Sequence, residues 1–321
     1  MVQGTARGKL LLFGEHSAVY GYPALGIPLD LTCTIDFFPG PTTSVTYNNR
    51  DLTSDSLEGE LFFSLLQRTN EFLMGFRMPS GAYHISSTVP ESGGFGSSAA
   101  LCGSLARVIL SLAPVGDGWE LANFLEGVFH GSPSGVDTGL SLSPGPAVFF
   151  DGPKSTTTLP SRRFLPDPRI PLVYGALHRA GSTKELVGEI RTRMQAGDVS
   201  TKGHLESLGT IAGKAINLYE TGGPWSSWAE KDRCRFGDLA NKAHNHLKSL
   251  DLSTPDLDRI MALSLASGFR GGKLSGAGGG GAFYLIPGDW SPGEGLKRVQ
   301  QLEERLLSAD IALALALQTL A

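Results

Sequence analysis

The stretch GGFGSSAAL, residues 93–101, sets three glycines and two serines directly ahead of a run that reads as a helix. Glycine loses more conformational entropy on folding than any other residue, so a cluster at the mouth of a helix needs a compensating gain. An anion would supply it. The first N–H groups of a helix have no partner within it, and the aligned peptide dipoles place about half a positive charge there, so phosphate fits the position. Here the glycines allow backbone to approach a ligand closely, while Ser97 and Ser98 can cap the helix or offer hydroxyl oxygens to a metal ion. A tight turn with an ordinary serine cap fits the same nine residues, so the rest of the chain has to decide.

Two other phosphate loops are excluded. GxxxxGK[ST] is absent, because the candidate ending at Gly272-Lys273 has Ser267 where glycine is required. Gly276, Gly278 and Gly281 match GxGxxG, but that loop precedes a strand instead of following one to open a helix. The HRD and DFG elements of protein kinases are missing as well.

The 321 residues suggest two domains. With 27 Lys+Arg against 31 Asp+Glu the formal charge is −4, which argues against a nucleic-acid track or a polybasic membrane patch and leaves small molecules as the expected partners. Cys33, Cys102 and Cys234 lie far apart and suit neither a disulfide framework nor a zinc site. The opening MVQGTARGKLLLFG reads as a buried strand and not as a signal peptide, and IALALALQTLA at 311–321 is too short to span a bilayer, so a cytoplasmic protein is expected.

Residues 9–13, 31–38, 82–89 and 171–178 read as strands, and 273–286 reads as a glycine loop leading into another. Helical periodicity covers 57–76, 97–112, 119–129, 183–196, 203–220, 231–250 and 256–267. The proline-rich LPSRRFLPDPRIP, 159–171, disfavours both helix and sheet interior and marks a boundary, giving domains at 1–165 and 166–321. Strands grouped among helices without regular alternation indicate an α+β fold.

Polar residues cluster in three further places. HGSPSGVDT, 130–138, holds His130, Ser132, Ser134 and Asp137 in a loop stiffened by Pro133, with Glu126 four residues upstream on a helix. One carboxylate for a hard cation and another to accept a proton are what magnesium-dependent phosphoryl transfer to a hydroxyl requires. A solvated turn beside a surface glutamate fits this cluster taken alone. Lys9 stands at the start of the first predicted strand, and Glu15 and His16 follow its end, where active-site groups often sit. A lysine near an acceptor hydroxyl would favour the alkoxide. His244 and His246, two apart on a predicted helix, point to opposite sides and are assigned to solvated surface.

Taken together, ARGKLLLFGEHSAVYG (6–21), PESGGFGSSAA (90–100), EGVFHGSPSGVDT (126–138) and KLSGAGGGGAF (273–283) resemble the signature motifs of the GHMP kinases, in the forms typical of the mevalonate kinases. The resemblance implies a two-domain kinase, with an N-terminal domain like domain 2 of ribosomal protein S5, a ferredoxin-like C-terminal domain, and ATP and acceptor in the cleft between them. It implies that Gly93, Gly94, Gly96, Ser97, Ser98 and Ala99 form the ATP phosphate loop and that Ser98 and Glu126 bind Mg2+. Asp137 becomes the catalytic carboxylate and Lys9 its cationic partner. Glu15, His16, Thr183 and Gly278 fall at the acceptor, which the resemblance implies is mevalonate; another acceptor of the family, phosphomevalonate or a sugar, and a non-catalytic nucleotide-binding role are the alternatives. Oligomeric state stays open, a homodimer included. Arg7 stands where the family usually has proline and Phe95 where it has leucine, and the segment between the second motif and Glu126 is short.

Overall fold

Twenty regular elements can be followed in the computed structural model, which describes residues 1–74, 77–91, 93–113, 117–131, 133–151, 159–178, 183–290, 292–311, 313 and 315–318. Ser132, part of the loop singled out above, lies outside them. The first half contains β1 (Val2–Phe13), β2 (Ala24–Pro39), β3 (Ser44–Tyr47), β4 (Arg50–Leu52), α1 (Leu57–Phe72), β5 (Gly81–Ser87), α2 (Ser97–Leu112), α3 (Gly118–His130), α4 (Val136–Ser141), β6 (Ala147–Phe150) and β7 (Ser161–Phe164). The second contains β8 (Leu172–Leu177), α5 (Thr183–Gln195), α6 (Val199–Thr221), α7 (Glu230–Ser249), α8 (Pro255–Ala266), β9 (Gly271–Leu274), β10 (Gly281–Ile286), α9 (Pro292–Leu307) and β11 (Ala316–Gln318).

The strands up to β7 form one sheet in the order β4-β3-β5-β2-β6-β7, with β1 paired to β2; β11-β8-β10-β9 form a second, antiparallel sheet. Helix and sheet are mixed without regular βα alternation, the α+β arrangement expected. The long β2 is the spine of the first sheet, because β1, β5 and β6 all pair with it. Its ladder with β1 is irregular between Arg7 and Lys9, and Lys9 faces Pro28, which has no N–H to give. At this irregularity the Lys9 N–H donates to the Phe95 carbonyl at 2.8 Å, tying the glycine loop to β1.

Helix α2 packs against β1 and α3, and α7 against β9. One contiguous core runs through both halves. Phe13 of β1 meets Phe236 of α7 edge-on at 5.4 Å, and Phe95 meets Tyr174 of β8 at the same distance. The larger side chain at 95 is thus accommodated by the second sheet.

Several expectations need correction. Lys9 lies inside β1, not at its start, because the residues from Val2 to Arg7 already pair with β2. The proline-rich passage contains β7, which is tolerated because it is an edge strand bounded by Pro160 and Pro166. The loop holding Asp137 contains the short α4. His244 is buried, with Nε2 3.3 Å from Asp258 Oδ1 and Nδ1 accepting from Leu274 N–H, while His246 of α7 faces His204 of α6. The helix expected over 57–76 ends at Phe72, and residues 75–76 lie outside those described. Among the described residues no helix is long and apolar enough to cross a membrane.

Candidate active site

Helix α2 begins at Ser97 after Gly96, whose φ of +78° is left-handed and favours glycine. Gly96 at the N-cap has no side chain with which to cap the helix, and the first N–H groups of a helix have no partner within it. They open onto a chamber of about 420 Å3 whose walls include Lys9, Gly94, Gly96, Ser97, Ser98 and Asp137. A Cβ on Gly96 would come within 2.7 Å of Lys9 Cγ, so glycine here lets the loop press against the lysine stem.

Lys9 is buried, and its Nζ stands 3.0 Å from Oδ1 of Asp137, which α4 presents from the opposite wall. Glu126, on the last turns of α3, is also buried. Burial first and the neighbouring Asp137 second push its carboxyl up to about 8, against the partial relief given by Lys9 and Ser98. The Ser98 hydroxyl lies 3.3 Å from Glu126 Oε1 and 3.3 Å from His130 Nε2. A buried carboxylate and a hydroxyl beside a second carboxylate are hard oxygen donors that suit Mg2+, an ion normally held by one or two carboxylates together with substrate phosphates. Glu126 and Ser98 therefore fit the ion, and a cation here would relieve the crowding of negative charge.

A second chamber of about 370 Å3 adjoins the first and shares Asp137, Thr183 and Lys184 with it. Glu15 and His16 form part of its far wall, and α5 adds Arg191. His16 has a left-handed φ of +57°. Its Nε2 is 3.0 Å from the Ala277 carbonyl, which can only accept, so in the neutral ring Nε2 carries the proton and Nδ1 is left as an acceptor. Burial pushes this imidazole down to about 4, so it is neutral near pH 7.

Most of the residues named from sequence thus meet around two joined chambers. Three stand back from the walls. Gly93 is buried against Phe95 and Pro90, Ala99 is buried in α2, and Gly278 abuts the Leu252 backbone. Sequence reasoning also missed Lys273. This fully buried lysine of β9 donates to Glu15 Oε1 and to the Leu274 carbonyl, joining the second sheet to the turn after β1. The signal was a lysine opening an otherwise apolar and glycine-rich motif. The Ser275 hydroxyl reinforces the join, accepting from Leu11 N–H at 3.0 Å and donating to the Leu11 carbonyl at 2.8 Å, and Tyr284 donates to the Leu12 carbonyl.

Residues 61–145 match the GHMP kinases N-terminal domain and residues 228–309 match the GHMP kinases C-terminal region. The mevalonate kinase of Pyrococcus abyssi is 28% identical over 315 residues, covering 90% of this chain and 89% of the relative. Among solved structures, L. major mevalonate kinase in complex with R-mevalonate superposes with a TM-score of 0.76 at 21% identity, covering 100% of this chain and 97% of the other. Streptococcus pneumoniae phosphomevalonate kinase in complex with phosphomevalonate and AMPPNP gives 0.75 at 15% identity, with coverages of 99% and 100%. At these identities the structural likeness establishes the fold alone.

Proposed function

Since the chain belongs to the GHMP kinases, we propose that it transfers the γ-phosphoryl group of ATP to the C5 hydroxyl of mevalonate, giving 5-phosphomevalonate and ADP. The observation that carries the chemistry is the Lys9–Asp137 pair, set between an uncapped helix start and a chamber large enough for a small acceptor. The choice of acceptor rests on chain-length similarity to proteins named mevalonate kinase. Lys184 and Arg191 give the second chamber two cations, which suit an acidic acceptor.

In this reading the N–H groups opening α2 and the backbone at Gly94 and Gly96 hold the phosphates. The acceptor oxygen attacks the γ-phosphorus, the bond from that phosphorus to the bridging oxygen of ADP breaks, and the hydroxyl proton passes to Asp137. Lys9 orients the Asp137 carboxylate and offsets negative charge growing on the acceptor oxygen. Ser98 and Glu126 would hold Mg2+, which supplies charge neutralisation across the phosphate oxygens. His16 Nδ1 would accept from the acceptor and Thr183 would donate to it, both residues lining the second chamber. The division at 165/166 separates the half with the phosphate loop from the half with α5 and the 276–281 glycine loop.

The same two cations also favour a second reading, a phosphorylated acceptor such as phosphomevalonate. A coupled-ADP assay at fixed Mg-ATP separates the two. ADP release with mevalonate, and not with phosphomevalonate, galactose or no acceptor, is the expected result. Release with phosphomevalonate alone transfers the assignment to that acceptor, and no acceptor-dependent release with any of them defeats both.

A further inference from the structure

Helix α4 carries Asp137 but has only six residues, too few to hold its own position in water, so tertiary contacts must fix it. Two side chains outside the reacting groups do so. At its start the Trp119 indole Nε1–H donates to the Gly135 carbonyl at 2.8 Å. Near its end Arg162 Nη1 donates at 2.8 Å to the Gly139 carbonyl, one of the last carbonyls that a helix leaves without an internal partner. The two clamps also touch each other, for the Arg162 guanidinium lies 4.1 Å over the Trp119 ring and 4.8 Å over Phe164.

Gly139 permits this close seating. A Cβ there would come within 2.6 Å of Phe149 and 2.9 Å of Trp119. Trp119 and Glu126 are seven residues apart on α3 and so share one of its faces. The indole that holds the start of α4 therefore belongs to the helix carrying the other carboxylate. Arg162 pairs with Phe149 across β6 and β7, which ties the end of α4 to the first sheet.

We propose that Arg162 and Trp119 are positioning residues for phosphoryl transfer, holding the two ends of α4 so that Asp137 stays against Lys9 and at a set distance from Glu126. This rests on the kinase reading above and deepens it. Arginine suits the role because its planar guanidinium stacks and donates at once, which a lysine ammonium cannot reproduce. A catalytic carboxylate displaced by about 1 Å can lose on the order of a hundredfold in rate.

The test compares Arg162→Ala, Arg162→Lys and Trp119→Phe with Arg163→Ala, which removes the neighbouring pair to Glu220 and a looser contact over Phe150 at 6.0 Å. Turnover with Mg-ATP and mevalonate, ATP affinity and thermal midpoint are measured on each. Arg162→Ala is expected to lower kcat by about tenfold or more with ATP affinity within about twofold of wild type, Arg162→Lys to fail to restore it, and Trp119→Phe to cost several-fold. Arg163→Ala should turn over like wild type. Because Arg162 acts through Asp137, adding Arg162→Ala to Asp137→Ala should cause little further loss. Turnover of Arg162→Ala within about twofold of wild type overturns the proposal, as does a loss matched by weakened ATP binding and folding, or one that multiplies fully on that of Asp137→Ala. If the Asp137→Ala rate falls below detection, the contrast between Arg162→Ala and Arg163→Ala decides. Near-normal turnover of Asp137→Ala itself overturns the catalytic reading beneath, and the clamp with it.

Discussion

Asp137 reaches Lys9 from a different element at 3.0 Å, and its replacement by alanine is expected to lower kcat by about a hundredfold or more, the scale of a lost general base. Equilibrium titration should find ATP affinity little changed. Glu126→Ala removes the buried carboxylate beside Ser98, so the Mg2+ concentration giving half-maximal rate is expected to rise; an unchanged magnesium titration would take Glu126 out of that role. His16 makes a prediction in pH. Its folded value of about 4 lies below the ordinary 6.5, so as pH falls the unfolded chain takes up the proton first. The stability it contributes is full above about pH 6.5, declines as pH drops and levels off below about 4. Denaturant unfolding across that window should show the slope in wild type and a shallower one in His16→Asn.

At the scale of elements, the glycine loop and α2 carry the sharpest constraint. Gly96→Ala puts a side chain on a left-handed residue and drives its Cβ against the Lys9 stem. A stability loss of roughly 1–2 kcal/mol in denaturant melts is expected, together with a raised KM for ATP. Helix α2 was legible in the sequence with the bounds it has in the fold, because its apolar spacing is strong and glycine marks its start. The short strands β3, β4, β6 and β7 were not, since three or four residues carry too little periodicity and their partners lie elsewhere in the chain. The same limit hid Arg162, whose strand sits between prolines. Gly94, Gly96, Glu126 and Asp137, which line the chambers, could be picked out because each lies in a compact motif. Lys273 could not be assigned, because a lone lysine reads as exposed until its partner Glu15 is placed beside it.

For the molecule as a whole, the buried Glu15–Lys273 pair joins the two halves. Burial pushes the Glu15 carboxyl up and the Lys273 ammonium down, each partly restored by the other. Removing one partner strands the other in the interior, so Lys273→Met should destabilise by about 3–5 kcal/mol, and Glu15→Gln combined with Lys273→Met should recover part of that loss in thermal melts. A single change no worse than the double would deny the coupling. The long-range order of the sheets lay beyond the sequence, which shows where strands fall but not that β2 serves as the spine. The Ser275 and Tyr284 hydroxyls hold main-chain atoms of Leu11 and Leu12, groups that every amino acid brings to those positions except the proline N. That stitch is therefore insensitive to drift in the side chains along β1 and vulnerable at residues 275 and 284, so tolerance to substitution should be lopsided across the seam.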